Sequence, residues 1–191
     1  LRKRGFTSEA IINFIKESGI TRADTQVSIE KLAALNKQII DKTSLRYFAV
    51  LNPEKIVIKN APETTTEIDF HPDFEEKGSR GIKTNKEFYI QDKLDPKKTY
   101  RFMHLFNFKN KTFISQELDE SLKATLIHWL PVSDNLVNIE LVDENNNTIK
   151  GLAEPEIKKL KVNGVVQLVR IGFCKLDKKE KDKLVFYFAH R

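Results

Sequence analysis

The sequence predicts a mainly β chain: a short helical segment over residues 1–50, then two antiparallel β-barrels over residues 51–191. Two observations carry this. Hydrophobic residues recur at helical spacing up to Ile40, and the period then changes near Arg46. After that point short apolar runs follow at close intervals, separated by Asn, Asp, Pro and Lys turns, with almost no helical pattern between them.

The chain opens on a basic cluster, Leu1-Arg2-Lys3-Arg4, closed by Gly5-Phe6. A first helix starts at Thr7-Ser8-Glu9, with Ser8 placed to cap it and Glu9 suited to the positive end of its dipole. Ala10, Ile11, Phe14 and Ile15 form its apolar stripe, and Gly19 ends it. Asp24 and Thr25 belong to the connection. A second helix runs from about Ser28 to about Lys42, with Leu32, Leu35, Ile39 and Ile40 on one side. Tyr47 to Leu51 is then an apolar run closed by Asn52-Pro53, and proline turns the residue before it away from helix.

Lys55–Lys59 alternates as a strand. Asn60 to Asn85, rich in Glu and Thr, reads as a loop. Further strands are expected over Glu87–Ile90, Thr99–Phe108, Thr112–Ser115, Ala124–Leu130, Leu136–Val142, Val165–Leu176 and Leu184–Ala189. Turns fall at Asp95-Pro96, Lys109-Asn110-Lys111 and Asp143–Asn147, and one short helix fits Glu154–Lys161. The charge run from Lys175 to Lys183 reads as a solvated hairpin tip.

Bulk properties narrow the function classes. The 191 residues carry a formal net charge of +6 with pI about 9.2, which suits an anionic partner, nucleic acid above all, or a lysine-rich surface with no such partner. Hydrophobic residues at 40% and charged residues at 31% describe a soluble globular chain. No apolar run approaches the roughly 20 residues of a membrane span. One cysteine, Cys174, excludes an internal disulfide and points to a reducing compartment, the cytoplasm. The chain lacks an initiator methionine and opens inside a helical pattern, so a fragment of a longer chain is expected.

Signals for chemistry are poor. His71, His104, His128 and His190 have no metal-ligand spacing, and Cys174 sits in a strand pattern that suits a buried thiol. No phosphate-binding glycine motif occurs, and Glu75-Glu76 and Asp143-Glu144 lie in polar loops. Signals for binding are better. Lys97-Lys98-Thr99-Tyr100-Arg101-Phe102-Met103-His104 interleaves basic and aromatic side chains, the combination that holds bases splayed from an RNA loop. Alternation puts Lys97, Thr99, Arg101 and Met103 on one face and Lys98, Tyr100, Phe102 and His104 on the other. An ordinary amphipathic strand, with Arg101 paired to Glu87 or Asp92, explains the same pattern.

Several motifs, taken in order, resemble one family. Leu1-Arg2-Lys3-Arg4-Gly5-Phe6-Thr7 with Ala10-Ile11 resembles the segment that opens the stem-contact helices in class I glutamyl- and glutaminyl-tRNA synthetases. Asn36, Lys37, Asp41, Arg46 and Tyr47 resemble its glutamyl form. His71-Pro72 with Gly78 and Arg80, Arg101 to Asn107, Ile127-His128-Trp129, and Val166-Gln167 with Arg170, Gly172, Phe173 and Asp177 are similar to its anticodon-binding strands and loops. Phe188 to Arg191 resembles the glutamyl ending. Leu168-Val169 departs from the family, which commonly carries Phe-Glu there.

The resemblance implies the C-terminal region of an archaeal/eukaryotic-type glutamyl-tRNA synthetase, without the catalytic domain. It implies a parent that joins glutamate to its tRNA with ATP and Mg2+, while this part needs no cofactor and positions the tRNA as a monomer. Whether the parent also accepts glutamine tRNA stays open. So do two other readings, the same region of a glutaminyl enzyme and a stand-alone β-barrel RNA-binding module. Anticodon contacts are expected from Arg101, Tyr100, Lys98 and Lys97, and backbone contacts from Arg2, Lys3, Arg4 and Arg46.

Overall fold

A computed structural model describes residues 1–19 and 28–191. Asp24 and Thr25 lie outside the described residues. A single 3-10 turn over Arg2–Arg4 ends at Gly5 in the left-handed region (φ 98°). Helix α1 follows over Ser8–Ser18 and α2 over Ile29–Ile40. Thr7, not Ser8, caps α1: its backbone is extended, and its hydroxyl accepts the Ala10 N–H at 3.1 Å. The two helices pack through Phe6, Ala10 and Leu32.

The strands are β1 (Leu45–Tyr47), β2 (Ala49–Leu51), β3 (Glu54–Val57), β4 (Thr64–Asp69), β5 (Ser79–Thr84) and β6 (Glu87–Ile90). Then come β7 (Thr99–Phe102), β8 (Asn107–Lys109), β9 (Thr112–Ser115), β10 (Thr125–Ile127) and β11 (Leu130–Pro131). The C-terminal set is β12 (Val137–Val142), β13 (Thr148–Ala153), β14 (Val165–Leu168), β15 (Gly172–Lys179) and β16 (Lys183–His190), with a 3-10 turn over Pro155–Lys159.

Both barrels close on a broken strand. The sheet β1-β14-β15-β16-β12-β13-β2 has β1 at one edge and β2 at the other, and only Phe48 separates those two edges in sequence. The stretch from Leu45 to Leu51 therefore joins the sheet to itself. The other barrel uses β10 and β11 in the same way: β10 pairs with β7, β11 pairs with β6, and His128-Trp129 joins them. It closes where Lys59, just past β3, bridges Thr112 on β9, with Lys59 N donating to Lys111 O at 2.8 Å. Each barrel has its own core. One is aromatic, with Phe48, Phe88, Phe102, Phe106, Phe108 and Trp129 buried together. The other is aliphatic, around Val137, Ile139, Leu141, Val166, Leu168 and Phe186. Burying each such side chain stabilises the fold by about 1.5–3 kcal/mol.

The fold departs from the sequence expectation in five places. The barrels are not wholly antiparallel: β1–β14, β10–β7 and β12–β16 are parallel pairs, two of them made by the broken strands. The Asn60–Asn85 stretch is not a loop but holds the hairpin β4–β5, where β-branched threonines alternate with partly buried positions. The expected Thr99–Phe108 strand reverses at Met103–Leu105, with His104 in the left-handed region (φ 59°). Val165–Leu176 likewise reverses at Arg170 (φ 62°). Finally, β13 was not expected. Its inward positions include Gly151 and Ala153, so it lacks large apolar alternation. A Cβ on Gly151 would stand 2.6 Å from the Val50 carbonyl oxygen, so only glycine lets β13 approach β2.

Candidate nucleic-acid interface

The barrels and the β4–β5 hairpin enclose a cleft of about 310 Å3 whose lining includes Arg46, Phe48, Asp69, His104, Gln167 and Arg170. That volume is at the lower end of ligand pockets. Arg46 on β1 and Gln167 on β14 are direct neighbours in the parallel register. Arg46 is fixed at both ends: its backbone N donates to Phe70 O at 2.8 Å, and its Nη2 reaches Asp41 Oδ1 at 3.4 Å. Between those anchors Arg46 Nε is buried without a hydrogen-bond partner, and so is Gln167 Oε1. A buried unsatisfied polar atom costs about 1–3 kcal/mol, and protein interiors seldom keep one without a reason. One of the two is a donor and the other an acceptor, on residues paired in register.

Two ionic clamps hold the cleft walls. Arg80 on β5 grips Glu154, which follows β13, through Nε–Oε1 at 2.8 Å and Nη2–Oε2 at 2.9 Å. Arg80 Nη1 also donates to Ile68 O at 3.0 Å and Asp69 O at 2.7 Å. Glu154 holds the break in the closing strand, since Phe48 N donates to its Oε2 at 2.9 Å and its own N donates to Phe48 O at 3.1 Å. Burial pushes the Glu154 carboxyl upward, and Arg80 and the Phe48 N–H oppose that rise. Arg170 makes the second clamp, bidentate to Asp92 at 2.7 and 2.8 Å. Its Nη1 also meets His128 Nδ1 at 3.2 Å, while His128 Nε2 contacts Ala49 O at 2.7 Å. Burial, helped by the Arg170 charge, lowers the His128 pKa to about 4. The ring is therefore neutral near pH 7, donating from Nε2 and accepting at Nδ1.

The residues singled out from sequence are dispersed. Tyr100 is 5% exposed, stacked on Phe108, and its hydroxyl accepts the Asp95 N–H at 2.8 Å. That corrects its expected role, because a buried ring offers no face to a base. Arg101 pairs with neither Glu87, which meets Lys55, nor Asp92, which meets Arg170. Its Nη1 instead donates to Asn107 Oδ1 at 3.1 Å, Gln116 O at 3.1 Å and Glu117 O at 3.0 Å. Lys97 and Lys98 are exposed on the turn before β7. Arg2 is exposed, and Lys3 lies 4.5 Å from the Tyr187 ring centroid and 3.7 Å from Asp177. Arg4 donates to Phe188 O at 2.8 Å and Ala189 O at 2.6 Å, tying the N-terminal turn to β16. Of these only Arg46 lies in the cleft. Its cleft partners Gln167, His104 and Arg170 belong to stretches that resemble the synthetase family's anticodon-binding strands, but none was expected to contact the tRNA.

The fold and cleft define a double-barrel binding module. Two family models with one description, tRNA synthetases class I (E and Q), anti-codon binding domain, match residues 44–129 and residues 126–177 in succession. The chain belongs to that family. Similar proteins include glutamate–tRNA ligases of Methanococcus maripaludis (36% identical over 202 residues), Methanocaldococcus jannaschii (35% over 207) and Pyrococcus horikoshii (33% over 209). Each match covers 100% of this chain and 36% of the relative, so the chain spans about a third of the length of the curated relatives it matches.

Proposed function

We propose that this chain is the tRNA-binding part of a longer glutamate–tRNA ligase and grips the anticodon arm of a glutamate tRNA in the inter-barrel cleft. The observation that carries this is that Arg46 and Gln167, paired in register, both line a cleft of about 310 Å3 and each keeps a buried polar atom, Nε and Oε1, without a partner. A base edge with one acceptor and one donor satisfies both atoms at once, and the loss of strain in the free protein adds to affinity. Arg46 thereby moves from backbone contact to base reader. Arg101 keeps a secondary role in this reading: its Nε and Nη2 make no hydrogen bond among the described residues, leaving one guanidinium edge for a second base.

Residues 1–50 would contact the tRNA stem and residues 51–191 the anticodon arm. The ATP- and Mg2+-dependent joining of glutamate would belong to the rest of the protein, which works as a monomer in the cytoplasm. The relatives' names support the glutamate reading over the glutamine one, whereas the family description covers both.

Gln167→Leu tests the cleft. It removes an acceptor that has no partner in the free protein, so thermal stability should hold or rise. Discrimination between a glutamate-tRNA transcript and the same transcript with a substituted anticodon should fall about 5–150-fold, the equivalent of roughly 1–3 kcal/mol. Unchanged discrimination, or an equal loss on both transcripts, would overturn the reading.

A further inference from the structure

We infer that the end of the aromatic barrel where β8 turns into β9 carries an RNA phosphodiester strand, a contact separate from the cleft. The proposal rests on the tRNA-binding reading above and extends it to a surface outside the cleft lined by Arg46 and Gln167.

Four turns bring six lysines to this end. Lys97 and Lys98 stand on the turn closed by Lys98 N donating to Asp95 O at 3.0 Å. Lys109 pairs with Thr99 in the next register position, and Lys111 occupies the β8–β9 turn. Lys59 is hydrogen-bonded to that turn, since its N donates to Lys111 O at 2.8 Å. Lys86 sits beside it, because Ile58 N donates to Lys86 O at 2.8 Å. All six are exposed. None has a carboxylate within ion-pair distance among the described residues, although other lysines of the chain, such as Lys55, Lys159 and Lys183, do. The one acidic side chain on these turns, Asp95, is exposed and accepts Lys97 N at 2.9 Å, capping its own turn.

The turn itself favours a lysine for its charge rather than its conformation. Asn110 and Lys111 both have positive φ, 46° and 56°, in a two-residue hairpin loop of the kind that prefers Asn-Gly. A glycine would suit the second position better, and the side chain kept there is an ammonium with nothing to pair with. Between the two lysine-bearing turns runs a cleft of about 220 Å3, walled by Asp95 and Pro96 on one side and Asn110 and Lys111 on the other, floored by Tyr100 and Phe108. Lys111 on one rim, with Lys97 and Lys98 exposed on the turn that carries the other, suits a chain of evenly spaced monoanions, while the Tyr100 and Phe108 rings of the floor read no base edge. The contact is therefore blind to sequence.

The test is fluorescence anisotropy of the 191-residue chain with a glutamate-tRNA transcript between 50 and 200 mM NaCl. The variant is Lys97→Gln/Lys98→Gln/Lys111→Gln, with the corresponding triple Arg variant as control. Each lost phosphate contact removes about 0.7–0.9 from the slope of log K against log salt, so three remove about 2–3. The Arg variant should keep the slope. Affinity of the Gln variant should fall by the same factor on cognate and anticodon-substituted transcripts. An unchanged slope overturns the proposal. So does a Gln variant that binds the transcript like the parent yet loses binding to poly-L-glutamate, which would assign the surface to an acidic protein. Failure here is distinct from failure of the cleft reading, because Gln167→Leu changes the ratio between transcripts and leaves the slope alone.

Discussion

Replacing Glu154 by Gln tests whether the Arg80 clamp holds the two barrels in register. Arg80 is 7% exposed and Glu154 1%, so the pair is dry. Gln keeps the shape but removes the charge, and its amide group must point a donor at either Arg80 or the Phe48 N–H, which now both look for an oxygen. Removing one partner of a buried ion pair leaves the other charge uncompensated and costs about 3–5 kcal/mol. At about 2–4 °C per kcal/mol for a chain of this size, Tm should fall by roughly 6–20 °C. Calorimetry and urea denaturation of the 191-residue chain read this directly. Taking both partners away, as Arg80→Met with Glu154→Leu, should recover most of the loss, since paired hydrophobic replacements of buried ions are often neutral. A loss below about 1 kcal/mol for Glu154→Gln would refute the reasoning, because it would mean water or another group replaces the carboxylate at no cost.

Two further outcomes follow from single sites. His128 has a pKa of about 4 in the fold, below the usual 6.5, so the unfolded chain binds a proton first as pH falls. Its contribution is whole above pH 6.5 and is lost progressively towards pH 4, by roughly 3 kcal/mol in all. Stability against pH should therefore be flatter over that window for His128→Gln than for the parent, and parallel curves would contradict the assignment. Asn107 is fully buried and joins Arg101 to the segment after β9 through Ser115 Oγ at 2.9 Å and Glu117 O at 2.7 Å. Asn107→Ala should cost about 2–3 kcal/mol and speed proteolytic cleavage between residues 116 and 123. A cleavage rate equal to the parent's would show that Asn107 does not fasten this segment.

Local patterns in the sequence carried the element types well. Glu87–Ile90 and Thr112–Ser115 were legible to the residue because each is a short run of β-favouring side chains bounded by polar turn residues. Reversals inside apolar runs were not legible. Met103-His104-Leu105 and Val169-Arg170-Ile171 contain no Gly, Pro or Asn, and their positive φ falls on His104 and Arg170, residues that ordinarily avoid it. The β4–β5 hairpin was hidden because half its side chains are Thr, Glu or Lys, a composition shared with loops, and even an inward position is filled by the buried Thr84. Of the candidate site, Arg46 was legible only through resemblance. Tyr100 misled because alternation cannot say which face of a barrel strand is the inside.

The cleft was illegible for a deeper reason: it exists only once the sheet closes on itself. Arg46 and Gln167 are neighbours because β1, at one edge of a seven-stranded sheet, pairs in parallel with β14, while β2, after Phe48, pairs with β13 at the other edge. No local period encodes a strand that changes partners at a single residue. What encodes it is a set of distant polar side chains, Arg80, Glu154, Asp92, Arg170 and His128, whose pairing no local pattern announces and which in the fold are the staples around Phe48 and its neighbour Ala49. A buried ion pair seldom adds net stability over apolar residues of the same size, but it does penalise every arrangement that separates its halves. In this chain the arrangements penalised are those in which the barrels slip, and a slip by one residue would turn Arg46 from the cleft to the opposite face of its strand. The geometry of the cleft is thus fixed by side chains distant in sequence from both Arg46 and Gln167.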